Sequence, residues 1–246
     1  MEDLSAAVVE HGADFGIAWD GDGDRIGVTD ERGLRYEADW LVALLARDLL
    51  SRHPGARVLV DLKTSLGPIQ DICAHGGEPV LSRTGYSLVR RRMQAEGILF
   101  GGEASGHIIF AEDYYGIDDG VYAACALARF LAADPRPLSA HFASIRRFVT
   151  SPEIKLPCPD HAKFRIAEEI AHEFAARFPV LTIDGARVDF GDGWALIRGS
   201  NTNPYLSVRI EAESRPRYDA IGRLIWDALR RHPEVALPEG VPAPLP

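Results

Sequence analysis

Asp20-Gly21-Asp22-Gly23-Asp24-Arg25 sets three carboxylates on alternate residues of a glycine-rich stretch, with a guanidinium directly after the last. Carboxylates crowded on one short loop repel each other unless a cation sits among them. An all-oxygen donor set suits a hard divalent ion such as Mg²⁺ rather than zinc or copper. The flanks, Asp14-Phe15-Gly16-Ile17-Ala18-Trp19 and Ile26-Gly27-Val28-Thr29, read as a strand and its return partner, so the acids sit at the tip between them. An ordinary hairpin turn accounts for one Asp-Gly pair but poorly for three acids and an Arg. A calcium-stabilised loop of the EF-hand kind would use Asp20, Asp22, Asp24 and Glu31. Its sixth position must be Gly, and here Arg25 stands there, between strands instead of helices.

Two further segments carry chemistry. Gly101-Gly102-Glu103-Ala104-Ser105-Gly106-His107 follows the apolar Ile98–Phe100. On an extended backbone Glu103, Ser105 and His107 project to one side, and a carboxylate, a hydroxyl and an imidazole together suit the hydroxyls of a sugar. A turn with incidental polar residues fits the same letters. Arg198-Gly199-Ser200-Asn201-Thr202-Asn203-Pro204 lies between two strand-like runs, Trp194–Ile197 and Tyr205–Glu211. An Arg fork binds a phosphate bidentately, Ser200, Asn201 and Thr202 add donors, and Gly199 lets backbone N–H groups approach an anion. This is no Walker loop, since no Gly-Lys-Ser/Thr follows, and an ordinary hairpin also calls for Gly, Ser, Asn and Pro.

The elements that must position these segments alternate. A helix over 2–11 precedes the acid hairpin, and an amphipathic helix over 39–52 uses Leu41, Leu44, Leu45 and Leu49. Strand Arg57–Asp61, helix Leu66–His75, strand Pro79–Arg83, helix Ser87–Glu96, a strand at Ile98–Gly101 and a helix from Asp119 to Ala132 follow. Strands alternating with helices imply an α/β layer fold with a largely parallel sheet. After Asp134-Pro135-Arg136-Pro137 the pattern changes to a strand, a long helix (Phe164, Ala167, Ala171, Phe174 and Phe178 on one face), consecutive strands from Val180 to Glu213, and a closing helix. That is a separate α+β domain, ending in a Pro-rich tail from Pro238 expected to fray.

With 246 residues, 46% hydrophobic and 26% charged, the chain is long enough for a substantial core. A net charge of −9 argues against a nucleic-acid surface or an anionic membrane. No apolar run approaches a membrane span, and Met1-Glu2-Asp3-Leu4 lacks the apolar core of a signal peptide, which points to the cytoplasm. Cys73, Cys125 and Cys158 have no metal-ligand spacing; Cys73 and Cys125 fall in apolar helical stretches and are expected in the core of a protein kept reduced.

The three segments in this order resemble the α-D-phosphohexomutase family of phosphomannomutases and phosphoglucomutases. Asp61-Leu62-Lys63, Arg83-Thr84-Gly85 and Asp118-Asp119-Gly120 add to the match. The resemblance implies a remnant of the family's second domain over 1–33, an α/β/α third domain over 34–146, and a C-terminal α+β domain like the TATA-box-binding protein over 147–246. It implies Mg²⁺ at Asp20, Asp22 and Asp24, with Arg25 and Lys63 beside the transferred phosphoryl group and His107 near the reacting centre. Thr84, Gly85, Glu103 and Ser105 belong to the sugar site by the same resemblance. Arg198, Ser200, Asn201 and Thr202 hold the unreactive phosphate. The implied reaction is phosphoryl transfer between the 1- and 6-positions of mannose or glucose phosphates, through an active-site phosphoserine.

That serine belongs to a Thr-Ala-Ser-His-Asn-Pro loop, and no serine among these 246 residues is followed by His. The expectation is therefore a truncated or split C-terminal part, inactive alone and served by a separate chain with the phosphoserine, or else a non-catalytic hexose-phosphate-binding module. Tyr86 stands where many bacterial relatives place His, and Ala104 where phosphomannomutases commonly place Met.

Overall fold

Helix α1 (Glu2–His11) lies against β1 (Phe15–Trp19), with Val8 and Leu4 packed so closely over Gly16 that a Cβ there would collide with both. β1 turns through the acid loop into β2 (Ile26–Asp30), antiparallel and in register from Phe15↔Asp30 to Trp19↔Ile26. β3 (Arg35–Tyr36) adds a third strand. The computed structural model describes residues 1–245. They divide into one unit from Met1 to Arg147 and a second from Phe148 onward.

The first unit continues with α2 (Ala38–Arg52), β4 (Arg57–Asp61), α3 (Leu66–Ala74), β5 (Glu78–Ser82), α4 (Tyr86–Glu96), β6 (Phe100–Gly102), β7 (Ile108–Phe110), β8 (Ile117–Asp118), α5 (Gly120–Ala133) and α6 (Leu138–Ala143). Val58, Leu59 and Val60 are completely buried because β4 is covered on both faces. Val58 and Val60 pack with Leu41, Leu45 and Ile72, whereas Leu59 faces Val89 and Met93 of α4. Helices on both sides of the sheet make three layers. The sheet runs β5-β4-β6-β7-β8, and only β4–β5 and β4–β6 are parallel; β7 and β8 return antiparallel. The largely parallel sheet expected from the sequence is thus corrected, because short apolar Ile108–Phe110 doubles back through a tight turn instead of a helix.

The second unit holds β9 (Val149–Thr150), β10 (Ile154–Pro157), α7 (Asp160–Ala175), β11 (Val180–Leu181), β12 (Ala186–Asp189), β13 (Gly193–Gly199), β14 (Tyr205–Ala212) and α8 (Arg215–Leu229). Its sheet is antiparallel, ordered β10-β14-β13-β12-β11 with β9 also on β14. Ile166, Ile170 and Phe174 of α7 and Ile221, Ile225 and Trp226 of α8 share a core with Val188, Ile197, Val208 and Ile210.

Three further expectations are corrected. Cys73 and Cys125 are exposed and Cys158 is the buried one. Their helices present Ile72, Ala124 and Ala126 to the core, and a step of one residue turns a side chain through about 100°. Phe164 is exposed, leaving Ala162, Ile166 and Ile170 to complete the inner face of α7. The tail is anchored: Val241 packs on Gly222, Tyr218 donates to the Pro242 carbonyl (2.8 Å), and Leu245 N–H to that of Thr150 (2.6 Å). Among the described residues no helix is long and apolar enough to cross a membrane.

Candidate active site at the ends of the parallel strands

β4, β5 and β6 are parallel, so the segments leaving their carboxyl ends emerge at one edge of the sheet, the usual place for ligands in such folds. Lys63 follows β4, Thr84 and Gly85 follow β5, and Glu103 follows β6. Asp61, fully buried at the end of β4, ties the three together. It accepts hydrogen bonds from Thr64 Oγ1 (3.0 Å), Thr84 Oγ1 (3.3 Å) and the Ala104 N–H (3.3 Å). Glu103, 1% exposed, adds a second tie by accepting the Gly85 N–H at 2.6 Å. Burial pushes the Glu103 carboxyl above its ordinary range; the Gly85 bond opposes this, and the neighbouring Asp61 charge adds to it. Lys63 is buried beside this pair, and its charge pulls the Glu103 carboxyl the other way.

Glu103, Ser105 and His107 do not line one side of an extended strand. The Gly106 N–H returns to the Glu103 carbonyl (3.0 Å) and the Glu103 N–H to the His107 carbonyl (2.9 Å), so the segment is a tight turn. Gly106 has φ +103°, a backbone conformation side chains oppose. Glu103 points inward to Gly85, Ser105 is exposed, and His107 turns toward the acid loop.

The acid loop meets this turn directly. Arg25 and His107 form an antiparallel bridge, and the Ile26 N–H donates to the Gly106 carbonyl at 3.2 Å. On the other side the Gly120 N–H donates to the Gly23 carbonyl (3.0 Å). A Cβ on Gly120 would fall 2.6 Å from Trp19 Cδ1 and 2.8 Å from the Arg25 and Gly23 carbonyl oxygens, so only glycine lets α5 start this close. Asp119 caps that helix through the Val121 and Tyr122 N–H groups, both at 2.9 Å.

Within the loop, one oxygen of each of Asp20, Asp22 and Asp24 lies within 4.8 Å of the others. Arg25 binds Asp20 twice, from its backbone N–H (3.2 Å) and Nε (2.6 Å). Loss of solvent favours the neutral Asp20 carboxyl, but those hydrogen bonds win and hold it below its usual value. Asp24 is pushed up by burial, with Asp22, Asp20 and Asp118 adding to the effect and His107 opposing it. Its Oδ1 is buried and has no hydrogen-bond partner among the described residues. A carboxylate oxygen without a hydrogen bond, with Arg25 Nε 3.8 Å away and two other acids beside it, fits a hard cation. Next to it His107 Nδ1 meets Asp118 Oδ2 at 2.7 Å, and Tyr86 lies over the imidazole with ring centroids 6.0 Å apart.

In the second unit Arg198 and Ser200 are buried at the end of β13, and Asn201 and Thr202 are exposed on the turn into β14. Ser200 Oγ accepts the Thr202 and Asn203 N–H groups at 3.4 and 3.2 Å, so this hydroxyl shapes the loop from within. Arg198 does not offer its whole fork: Nε donates to the buried Asp184 at 2.6 Å. Asp184 escaped the sequence reading because it pairs across the sheet from a separate turn. Asp61 closes the strand-like run Arg57–Asp61 and Asp118 belongs to the Asp118-Asp119-Gly120 match, but no local spacing marks either as a tie of the site.

Residues 37–148 match the description "Phosphoglucomutase/phosphomannomutase, alpha/beta/alpha domain III", and residues 153–223 match "Phosphoglucomutase/phosphomannomutase, C-terminal domain". The chain is 40% identical over 240 residues to a phosphomannomutase/phosphoglucomutase of Pseudomonas putida, covering 97% of this chain and 52% of that protein. It is 36% identical over 241 residues to a phosphoglucomutase of Neisseria gonorrhoeae, again 97% and 52%. A crystal structure of a phosphoglucomutase/phosphomannomutase family protein from Burkholderia thailandensis superimposes with TM-score 0.86 at 33% identity, over 96% of this chain and 51% of that one. The chain belongs to the phosphoglucomutase/phosphomannomutase family, the α-D-phosphohexomutases, and corresponds to its C-terminal portion. It spans about half the length of the curated relatives it matches.

Proposed function

We propose that this chain supplies the metal loop, the sugar loop and a phosphate cradle for phosphoryl transfer on hexose phosphates, interconverting the 1- and 6-phosphates of mannose or glucose. The observation that carries the reading is the meeting of the acid loop with the Glu103–His107 turn at the carboxyl ends of three strands. Residues 1–33, 34–146 and 147–246 form the three parts of this reading, and the cytoplasm is its setting.

Asp20, Asp22 and Asp24 hold Mg²⁺, which when bound neutralises charge on a phosphoryl group. Arg25, exposed and anchored on Asp20, turns a cation toward the same place, and Lys63 adds a second from the end of β4. Glu103 and Ser105, with Thr84 and the Gly85 backbone, recognise sugar hydroxyls, while His107 sits beside the metal loop to exchange a hydrogen bond with the reacting hydroxyl. Arg198, Ser200, Asn201 and Thr202 grip the phosphate that does not react. Positioning and charge neutralisation then do most of the work, as is general for phosphoryl transfer. The phosphoryl carrier of this reading is a phosphoserine outside these 246 residues, in the same polypeptide or a separate one. A second reading is a hexose-phosphate-binding module, in which the same loops bind the ligand without turnover.

Chemical-shift titration of the 246-residue chain with glucose 6-phosphate tests the proposal. Binding is expected, and Arg198→Ala should weaken it by roughly tenfold or more, the loss of a charge-assisted hydrogen bond. An Arg198→Ala chain that binds as well as wild type would show the cradle to be a plain hairpin. Mutase activity of these residues alone, given Mg²⁺ and glucose 1,6-bisphosphate, is expected to be nil; turnover would remove the need for an outside phosphoserine.

A further inference from the structure

His107 is the one imidazole at the proposed site, and its surroundings decide which ring nitrogen a ligand meets. Nδ1 faces two carboxylates: Asp118 Oδ2 at 2.7 Å and Asp24 Oδ2 at 3.7 Å. A carboxylate only accepts, so the hydrogen of a 2.7 Å contact belongs to the imidazole. The Asp118 side chain is 7% exposed, and that of His107 19%. Asp118 has little room to turn away, since β8 is paired to β7 and the next residues are fixed by the Asp119 cap and by Gly120 against the acid loop. Tyr86 completes the enclosure. Its ring lies at 25° to the imidazole, and burial, with the Asp118 charge adding to it, pushes its phenol above the usual value. Arg90, which also acts on that phenol, is itself held by the Gly116 carbonyl at 3.0 Å. No described residue accepts from or donates to Nε2.

We propose that Asp118 is a positioning residue: it commits His107 to the tautomer with hydrogen on Nδ1 and so presents Nε2 as a hydrogen-bond acceptor for a ligand hydroxyl. The inference deepens the hexose-phosphate reading and rests on it for the identity of that ligand. Its core, the state of the ring, belongs to the free chain. A ring held the other way round would offer a donor instead of an acceptor, as a triad histidine does when its carboxylate is replaced by an amide. Tyr86, in this arrangement, stands beside the imidazole with ring centroids 6.0 Å apart.

Long-range ¹H–¹⁵N correlation on the uniformly labelled 246-residue chain, at a pH where the His107 ring is seen to be neutral, reads the tautomer directly. The expected result is hydrogen on Nδ1 in wild type. In Asp118→Asn, which keeps the size but can present an N–H₂ group, the population should move to hydrogen on Nε2. Adding glucose 6-phosphate should perturb Nε2 of the wild type, and Asp118→Asn should bind it about two- to tenfold more weakly, the range for one hydrogen bond. Wild-type chain with hydrogen on Nε2 would overturn the proposal without recourse to any variant. A switched ring with unchanged affinity would overturn the positioning role. Wild-type chain that shows the Nδ1–H ring but binds no hexose phosphate would count against the proposed function and leave the hold of Asp118 on His107 standing.

Discussion

Replacing Asp184 by Ala removes the carboxylate that meets Arg198 Nε at 2.6 Å. The two side chains are 9% and 6% exposed, so the guanidinium is left in a site with little water. Unit charges about 4 Å apart attract by about 4 kcal/mol at an effective dielectric constant near 20. Removing one member of such a buried pair costs about 3–5 kcal/mol, because the survivor remains desolvated. The loss falls on β13, which carries Arg198, and on its neighbour β14. Since about 1.4 kcal/mol is tenfold in an equilibrium, amides of these strands that exchange by opening of the second unit should exchange roughly 100- to 3,000-fold faster. Asp184→Asn, which keeps an acceptor in place, should lose less.

The same variant tests the cradle. With Asp184 gone, an incoming phosphate meets a guanidinium whose charge is no longer compensated, and phosphate should slow the exchange of Asp184→Ala by a larger factor than that of wild type. Exchange of β13 amides in the Ala variant within tenfold of wild type would refute the reasoning about the buried pair. Equal protection of both chains by phosphate would refute the view that Arg198 faces the anion.

Two further outcomes follow from the first unit. Gly120→Ala should cost about 1–3 kcal/mol by overpacking, because the new methyl meets two backbone carbonyls at 2.8 Å that a rotamer change cannot move; thermal denaturation reads the cost, and amide shifts of Gly23 and Arg25 should report the displaced loop. Glu103→Gln should stabilise the ligand-free chain at neutral pH. Burial raises the folded-state carboxyl, so the wild type loses stability as pH climbs above the unfolded value of about 4.3, and the loss is complete above the folded-state value. The advantage of Gln should shrink as the pH falls and vanish below about pH 4, where both states carry the proton; urea midpoints across that range that move in parallel would contradict the assigned cause.

What the sequence made legible depended on how local the controlling interactions are. The β1–β2 hairpin, the α/β alternation and the α+β pattern after residue 147 follow from apolar periodicity and turn residues, which act over a few positions. The acid loop was readable for the same reason. The Glu103–His107 segment was open to two readings, a strand and a turn, because alternate polar residues suit both; the feature that decides for the turn, a reversed backbone at Gly106, is carried by a glycine that a strand also tolerates. Cys73 and Cys125 were misplaced because helices α3 and α5 are apolar enough to leave small residues outside the buried stripe. The tail was misjudged from its prolines alone, although Val241 had a glycine-lined seat on α8.

The buried acids were the least legible part, and they separate residues that hold the site from residues that wait for a ligand. Asp61 gathers donors from loops after β4, β5 and β6, residues 64, 84 and 104, and Glu103 binds residue 85. Such partners lie far apart in the chain, so no spacing rule finds them. Each of these carboxylates is supplied with donors from the protein, which fixes the geometry of the Glu103–His107 turn in the free chain. The acid loop is built on the opposite principle. Arg25 takes both oxygens of Asp20, yet Asp24 keeps an inward oxygen with no donor, in a loop whose two sides are pinned by Gly106 and Gly120. A buried oxygen on so constrained a backbone, with no hydrogen bond and the Arg25 Nε no nearer than 3.8 Å, is costly unless a cation completes it. The energetic gap in the free chain therefore lies at the position where the proposed reaction requires a charge.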